Sequence, residues 1–169
     1  EYVFTDDQSV IEQREIGLDT QSFAFGLKHV LRQDPDVIMV GEMRDDISFK
    51  AAIAAAETGH LVLSTMHTTD ASQSVSRILD FFQPDERDQM RRQLAGTLHG
   101  VICQRMVQTV DGKVTPAFEI MINNGTVKKM ILDNKLEKLA NAIEAGGDDG
   151  MTTFNGSLFK LVKDGVVDQ

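Results

Sequence analysis

Two kinds of hydrophobic pattern alternate along most of this chain. Val37-Ile38-Met39-Val40 is an unbroken apolar run, and Leu61-Val62-Leu63-Ser64-Thr65-Met66 is a second, largely apolar one. They are too short for helices and lack polar alternation, so they predict strands covered on both faces, as in a parallel sheet. Around them, apolar residues recur at intervals of three and four. Phe23, Leu27, Val30 and Leu31 mark a helix that starts near Asp19 or Thr20. It must end before Pro35, which disfavours helical geometry at Asp34. Asp45 to Glu57 is Ala-rich, acid-capped and closed by Gly59, a residue suited to a left-handed helix end. Asp70 can cap a helix carrying Val75, Ile78, Leu79 and Phe82. Pro84, Asp85 and Glu86 open another, whose stripe of Met90, Leu94, Leu98, Val101 and Ile102 keeps helical spacing throughout.

The flanks read differently. Tyr2-Val3-Phe4 and Val10-Ile11 are β-favouring stretches parted by the turn-prone Thr5-Asp6-Asp7. Asp111-Gly112, set between Met106-Val107 and Val114 to Ile122, is the strongest hairpin signal in the chain. Beyond Asn123-Asn124-Gly125 come short helices, one with Val127, Met130 and Ile131 and one with Leu136, Leu139 and Ile143. Gly146-Gly147-Asp148-Asp149-Gly150 reads as a flexible joint before a last helix with Phe154, Leu158 and Leu161. The pattern therefore predicts an α/β fold with a mainly parallel sheet over residues 1–122, followed by a small helical C-terminal region over residues 123–169.

Composition narrows the function classes. At 169 residues, with 41% apolar and 25% charged side chains, the chain can build a real core and is not of disordered type. A net charge of −9 argues against a nucleic-acid binder, which needs a clustered basic face. Arg91-Arg92 and Lys128-Lys129 read as solvated helix faces. Cys103 is the only cysteine. It allows neither an internal disulfide nor a Cys-rich zinc site, suits a reducing compartment, and falls in the helical apolar stripe as a small buried side chain. No stretch approaches the roughly 18 apolar residues needed to cross a bilayer, so direct membrane insertion is not expected. Starting at Glu1 without a Met, the chain reads as the interior of a longer protein.

Candidate chemistry gathers where the apolar runs end. Gly41, Glu42 and Arg44 follow the first; the second ends at Thr65-Met66, with His67 and Thr68 directly after it. Ligands of open α/β sheets sit beyond the carboxyl ends of the strands. If the two strands are parallel neighbours, a carboxylate, an imidazole, two hydroxyls and a guanidinium share one rim. Such a set suits attack of water on a polyanion, with Glu42 orienting and deprotonating the water while His67 and Arg44 meet phosphoryl charge. Each residue also has a plainer reading, Glu42 as a surface carboxylate in a loop and His67 as an ordinary imidazole. Their placement after two separate strands favours the functional one. A metal site is disfavoured, because seven extended steps put His60 and His67 roughly 20 Å apart and a zinc ion holds histidine nitrogen at about 2 Å. A structural role fits His60 better.

These residues carry a resemblance. Asp34-Pro35-Asp36-Val37-Ile38-Met39-Val40-Gly41-Glu42-Met43-Arg44-Asp45 is similar to the Walker B segment of the secretion ATPase superfamily, which includes type II secretion and type IV pilus motors. Ala56-Glu57-Thr58-Gly59-His60-Leu61-Val62, with Thr65-Met66-His67-Thr68-Thr69, resembles its His box. Gln13-Arg14-Glu15-Ile16-Gly17 with Asp19-Thr20 matches the stretch before Walker B, and Glu1-Tyr2-Val3 resembles the tail of the Asp box. The similarity spans essentially the whole chain and points to the PilT-type retraction branch.

The resemblance implies an incomplete RecA-like P-loop ATPase core within a homohexameric motor that uses ATP and Mg2+ to power pilus retraction and twitching motility. It implies a cytoplasmic protein, peripheral to the inner membrane through a pilus platform protein. Glu42 would activate the water and His67 would face the phosphates. Arg44, Thr65, Thr68, Arg14 and Glu1 would lie near nucleotide or a subunit boundary. Gly41 stands where many other P-loop ATPases keep a magnesium-associated Asp, and glycine there is normal in this superfamily.

Two departures refine the expectation. A lone cysteine cannot build the zinc module common in extension and secretion motors, which favours the retraction branch. The branch's Ala-Ile-Arg-Asn-Leu-Ile-Arg-Glu motif meets Thr126-Val127-Lys128-Lys129-Met130-Ile131-Leu132-Asp133 here, keeping the apolar spacing and losing the arginines, so an accessory retraction paralogue stays open. No Gly-x-x-x-x-Gly-Lys-[Ser/Thr] occurs in the 169 residues. Without that loop's amides and lysine, this chain alone is expected neither to bind ATP tightly nor to hydrolyse it. The rival readings are a non-catalytic regulatory homologue, an extension or secretion motor, and an unrelated nucleotide hydrolase using the same rim.

Overall fold

Ser22 begins the first helix, two to three positions later than the spacing predicts. Its hydroxyl accepts the Phe25 N–H at 3.2 Å and starts α1, Phe23–Val30. Asp19, the expected cap, is used instead in a tight loop, where its carboxylate accepts the Glu15 N–H at 2.9 Å. The computed structural model describes residues 3–168, which divide into two compact units, Glu1–Thr65 and Met66–Gln169.

In the first unit, α1 is followed by β1 (Val37–Val40), α2 (Asp46–Glu57) and β2 (Leu61–Ser64). The strands pair in parallel with Val37 opposite Leu61 and Val40 opposite Ser64. A helix between parallel strands is what two short apolar runs joined by an Ala-rich segment should form. Gly59, at φ +96°, takes the left-handed conformation expected just past the end of α2. Leu27, Ile38, Val40 and Ala55 form the core here, with Val30, Leu31, Met43, Ala51 and Val62 packed on it.

Among the described residues the β1–β2 pair is covered on one face only. Ile38 and Val40 point into the core, whereas Val37 and Met39 are 51% and 63% exposed and their partners Leu61 and Leu63 are 46% and 47% exposed. The cause is the extent of the sheet, which has only two strands among the described residues. Alternate side chains of a strand face opposite ways, so a single covered face leaves every second apolar residue open. The β-favouring starts also differ from expectation. Val3, Phe4, Val10 and Ile11 are exposed and lie outside any strand, since β-propensity forms no strand without a partner to pair with. Tyr2 lies outside the described residues.

Asp45 caps α2, its carboxylate accepting the Ser48 N–H at 2.7 Å and the Ser48 hydroxyl at 2.5 Å. The Ser48 side-chain hydrogen bond, then the backbone one, hold the Asp45 carboxyl below its usual range. A lowered folded pKa means the ionised cap stabilises above the ordinary carboxylate value, and that stabilisation is lost as pH falls through the folded value. Asp45→Ala should therefore cost about 0.5–2 kcal/mol at neutral pH. The difference in thermal midpoint from the parent should shrink towards zero in acid. An undiminished difference at low pH would assign the effect to packing.

The second unit contains α3 (Ala71–Asp80), α4 (Arg87–Thr97), β3 (Gly100–Gln108), β4 (Val114–Ile122), α5 (Gly125–Leu132), α6 (Leu139–Ala145) and α7 (Phe154–Lys163). Val75, Ile78, Leu79 and Phe82 are buried as their spacing predicts. The long stripe after Pro84 does not stay helical. The helix stops at Thr97, Leu98 turns to extended geometry, and Val101, Ile102 and Cys103 lie in β3. Antiparallel pairing along the whole length of β4 outweighs a helical periodicity that these residues satisfy by coincidence. Gly100 permits the change, because a Cβ there would sit 2.8 Å from the Met121 carbonyl oxygen. Cys103 is buried as expected, but on a strand, and burial pushes its thiol pKa up.

The hairpin turns through Thr109 to Lys113, with the Thr109 N–H donating to the Lys113 carbonyl at 2.8 Å. The helices expected in the C-terminal region form, the first capped by Asn124. The Gly146–Gly150 stretch is no open joint. It folds into a 3-10 turn closed by the Met151 N–H on the Gly146 carbonyl at 3.1 Å, with Met151 buried against Gly146.

Candidate functional site

The parallel register of β1 and β2 places their carboxyl ends side by side. Thr65, at the exit of β2, donates its hydroxyl to the Gly41 carbonyl at 2.6 Å and ties the two exits together. Directly after Gly41, the Glu42 side chain is 25% exposed, and its Oε2 accepts the Arg44 Nε at 2.8 Å and Nη2 at 2.5 Å. Arg44 is 78% exposed, and the hydrogen bond and charge of Glu42 raise its pKa. Two charge-assisted N–H contacts on one carboxylate oxygen restrict the orientation of that carboxylate. The same guanidinium can also receive a phosphate. A Cβ at Gly41 would meet nothing within 4 Å, so the rim beside Glu42 is open.

Arg14 takes a different place. Its Nη2 donates to Gln33 beyond the end of α1 at 2.7 Å and lies 3.8 Å from Glu12. Glu1 lies outside the described residues. His60, at the amino end of β2, puts Nδ1 3.1 Å from the Thr58 hydroxyl and 3.2 Å from the Ala55 carbonyl, a helix-end contact in keeping with a structural role. Among the described residues, no cluster of His, Cys, Asp and Glu is arranged to hold a metal ion by itself, and no helix is long and apolar enough to cross a membrane.

The second unit opens on Met66-His67-Thr68-Thr69-Asp70, an irregular segment that leads into α3 with His67 exposed. Asp70 caps α3 by accepting the Gln73 N–H at 2.8 Å, and Gln73 Oε1 accepts the Thr69 N–H at 2.7 Å. A capping box would bring Gln73 to the Asp70 N–H; here Gln73 reaches one residue further back, to Thr69. The Thr68 hydroxyl lies 2.6 Å from the hydroxyl of Ser74, which is buried and donates to the Asp70 carbonyl at 2.9 Å. Thr65 and Thr68 thus both use their hydroxyls on protein partners, Thr65 within the first unit and Thr68 within the second.

Sequence reasoning missed two further anchors. Arg105 on β3 donates Nη2 to the Thr69 carbonyl at 2.9 Å, and Glu119 on β4 accepts the Ala71 N–H at 2.9 Å. They lie 36 and 48 positions from their partners, so no local pattern points to them.

Comparison with known proteins places the chain in a family context. The model of the type II/IV secretion system protein family matches residues 6–150. A twitching motility protein of Neisseria gonorrhoeae is 43% identical over 99% of the chain and 45% of its own length. The type IV pilus retraction ATPase PilT of Pseudomonas aeruginosa is 38% identical over 99% of the chain and 48% of its own length. A crystal structure of the pilus retraction motor PilT with bound ADP superposes with a TM-score of 0.87 at 41% identity, covering 98% of this chain and 47% of that one. The chain spans about half the length of the curated relatives it matches.

Proposed function

The chain belongs to the type II/IV secretion system protein family, and from this premise we propose that it is the C-terminal part of a hexameric ATPase that powers pilus retraction and twitching motility. The observation that carries the proposal is the pair of parallel strands whose exits bear Glu42 and the Thr65–Gly41 latch, in a chain similar at 41% identity to a retraction motor solved with ADP. The reading assigns Glu42 to accept a proton from the attacking water, and Arg44 and His67 to meet negative charge on the phosphates. Thr65 and Thr68 hold the loops that present these groups, while Arg14 and Glu1 belong to the wider nucleotide or subunit surroundings. ATP with Mg2+ supplies the phosphoryl group and part of the charge neutralisation.

On this proposal residues 1–122 form part of a RecA-like core and residues 123–169 a helical C-terminal region. The open apolar face of Val37, Met39, Leu61 and Leu63 supports an incomplete sheet that the rest of the full-length protein covers. The protein acts in the cytoplasm on an inner-membrane pilus platform protein.

Two measurements test the reading. Expression of the full-length protein should restore twitching to a strain lacking its retraction motor. Restored piliation in a strain lacking its extension motor would transfer the protein to the extension branch, and failure in both strains would favour a regulatory homologue. The 169-residue chain by itself, lacking a phosphate-binding loop sequence, should show no ATP turnover above background. Turnover that Glu42→Gln abolishes would overturn that expectation.

A further inference from the structure

We propose that Arg105 is a positioning residue for His67, acting through the backbone of the loop between His67 and α3 and braced from the C-terminal region by Phe154. The inference rests on the assignment of His67 to the nucleotide site. His67 to Asp70 has no regular secondary structure, so the course of the backbone that carries the imidazole depends on what grips the loop. Arg105 grips it at the Thr69 carbonyl, at 2.9 Å. The same guanidinium lies over the Phe154 ring, 4.1 Å from its centroid, and Phe154 is buried as the first residue of α7. A cation stacked on an aromatic face is held in orientation as well as attracted. The arrangement therefore fixes the direction in which Arg105 presents its N–H groups.

The brace is itself anchored. Thr152, two residues before Phe154, pairs with Ile120 on β4 through hydrogen bonds of 2.8 and 3.1 Å, and the Phe118 N–H donates to the Ser157 hydroxyl at 3.1 Å. Arg105 and Glu119 lie on one face of the hairpin, since Cys103 pairs with Glu119 and Arg105 with Ala117. Together they hold consecutive points of the loop, the Thr69 carbonyl and the Ala71 amide. A group held this way contributes by geometry, and displacement of a reacting group by about 1 Å can cost on the order of 10²-fold in rate.

The test uses the full-length protein and steady-state ATP hydrolysis. Arg105→Ala should lower kcat about 10- to 100-fold while KM for ATP changes less than about twofold. His67→Ala should lower kcat as well, and the double variant should be no slower than His67→Ala alone, because a positioning residue has nothing left to position. Phe154→Leu keeps an apolar side chain under the guanidinium and should give an intermediate loss, which covers the case of Arg105→Ala failing to fold. Arg105→Lys, which keeps charge without the planar fork, should restore little. Additive losses in the double variant, or equal changes in KM and kcat, would overturn the inference and leave Arg105 a stabilising contact. If His67→Ala is itself without effect, it is the assignment of His67 that fails.

Discussion

Glu42→Gln in the full-length protein is expected to lower the rate of ATP hydrolysis about 10²- to 10⁴-fold, the range typical for loss of a positioned general base. That corresponds to about 3–5 kcal/mol in the barrier. The amide is nearly the same size and still offers an oxygen to Arg44, so the rim at the exits of β1 and β2 should keep its shape. What disappears is the capacity to accept a proton from water. KM for ATP should change little, because Glu42 as proposed stabilises the transition state more than the bound substrate. Arg44→Ala makes the complementary case. It removes the exposed fork paired with Glu42 and should raise KM more than it lowers kcat. A Glu42→Gln enzyme within tenfold of the parent would remove Glu42 from the chemistry.

The largest stability effect is expected at Gly100. The Cβ of Gly100→Ala would lie 2.8 Å from the Met121 carbonyl oxygen, a backbone atom of the paired strand that has no rotamer through which to retreat. Either β3 shifts away from β4 at its first pair or the contact stays strained, at a cost of about 1–3 kcal/mol. In a domain of this size that is several degrees in Tm, at roughly 2–4 °C per kcal/mol. Gly96 provides the contrast. It lies within α4, and a Cβ there meets nothing within 4 Å, so Gly96→Ala should stabilise by about 0.4–1 kcal/mol. Thermal unfolding of both variants checks the pair of signs. Equal effects at the two positions would show that the close approach at Gly100 is not what limits it.

Features that depend on a few neighbouring residues were legible. Asp45 before α2, Gly59 after it and the Asp70 cap of α3 all follow from local hydrogen bonding and backbone sterics. The parallel pairing of Val37–Val40 with Leu61–Ser64 followed from two apolar runs with a helical segment between them. Misreadings occurred where distant partners decide the outcome. Met90, Leu94, Leu98 and Val101 satisfy a helical spacing, yet β4 draws the second half of that stretch into a strand.

The sequence by itself determined the family, the strand–helix–strand unit that carries Glu42, and the motif that carries His67, because each is written in contiguous residues whose local physics suffices to form it. Only the tertiary structure decided that Thr65 latches the two strand exits, that one face of the β1–β2 pair is left open, and that Arg105 and Glu119 hold the His67 loop. Those outcomes depend on contacts between residues 24 to 48 positions apart and on how many strands share the sheet. A long-range contact forms only when the rest of the fold has brought its partners together, and no local periodicity records it.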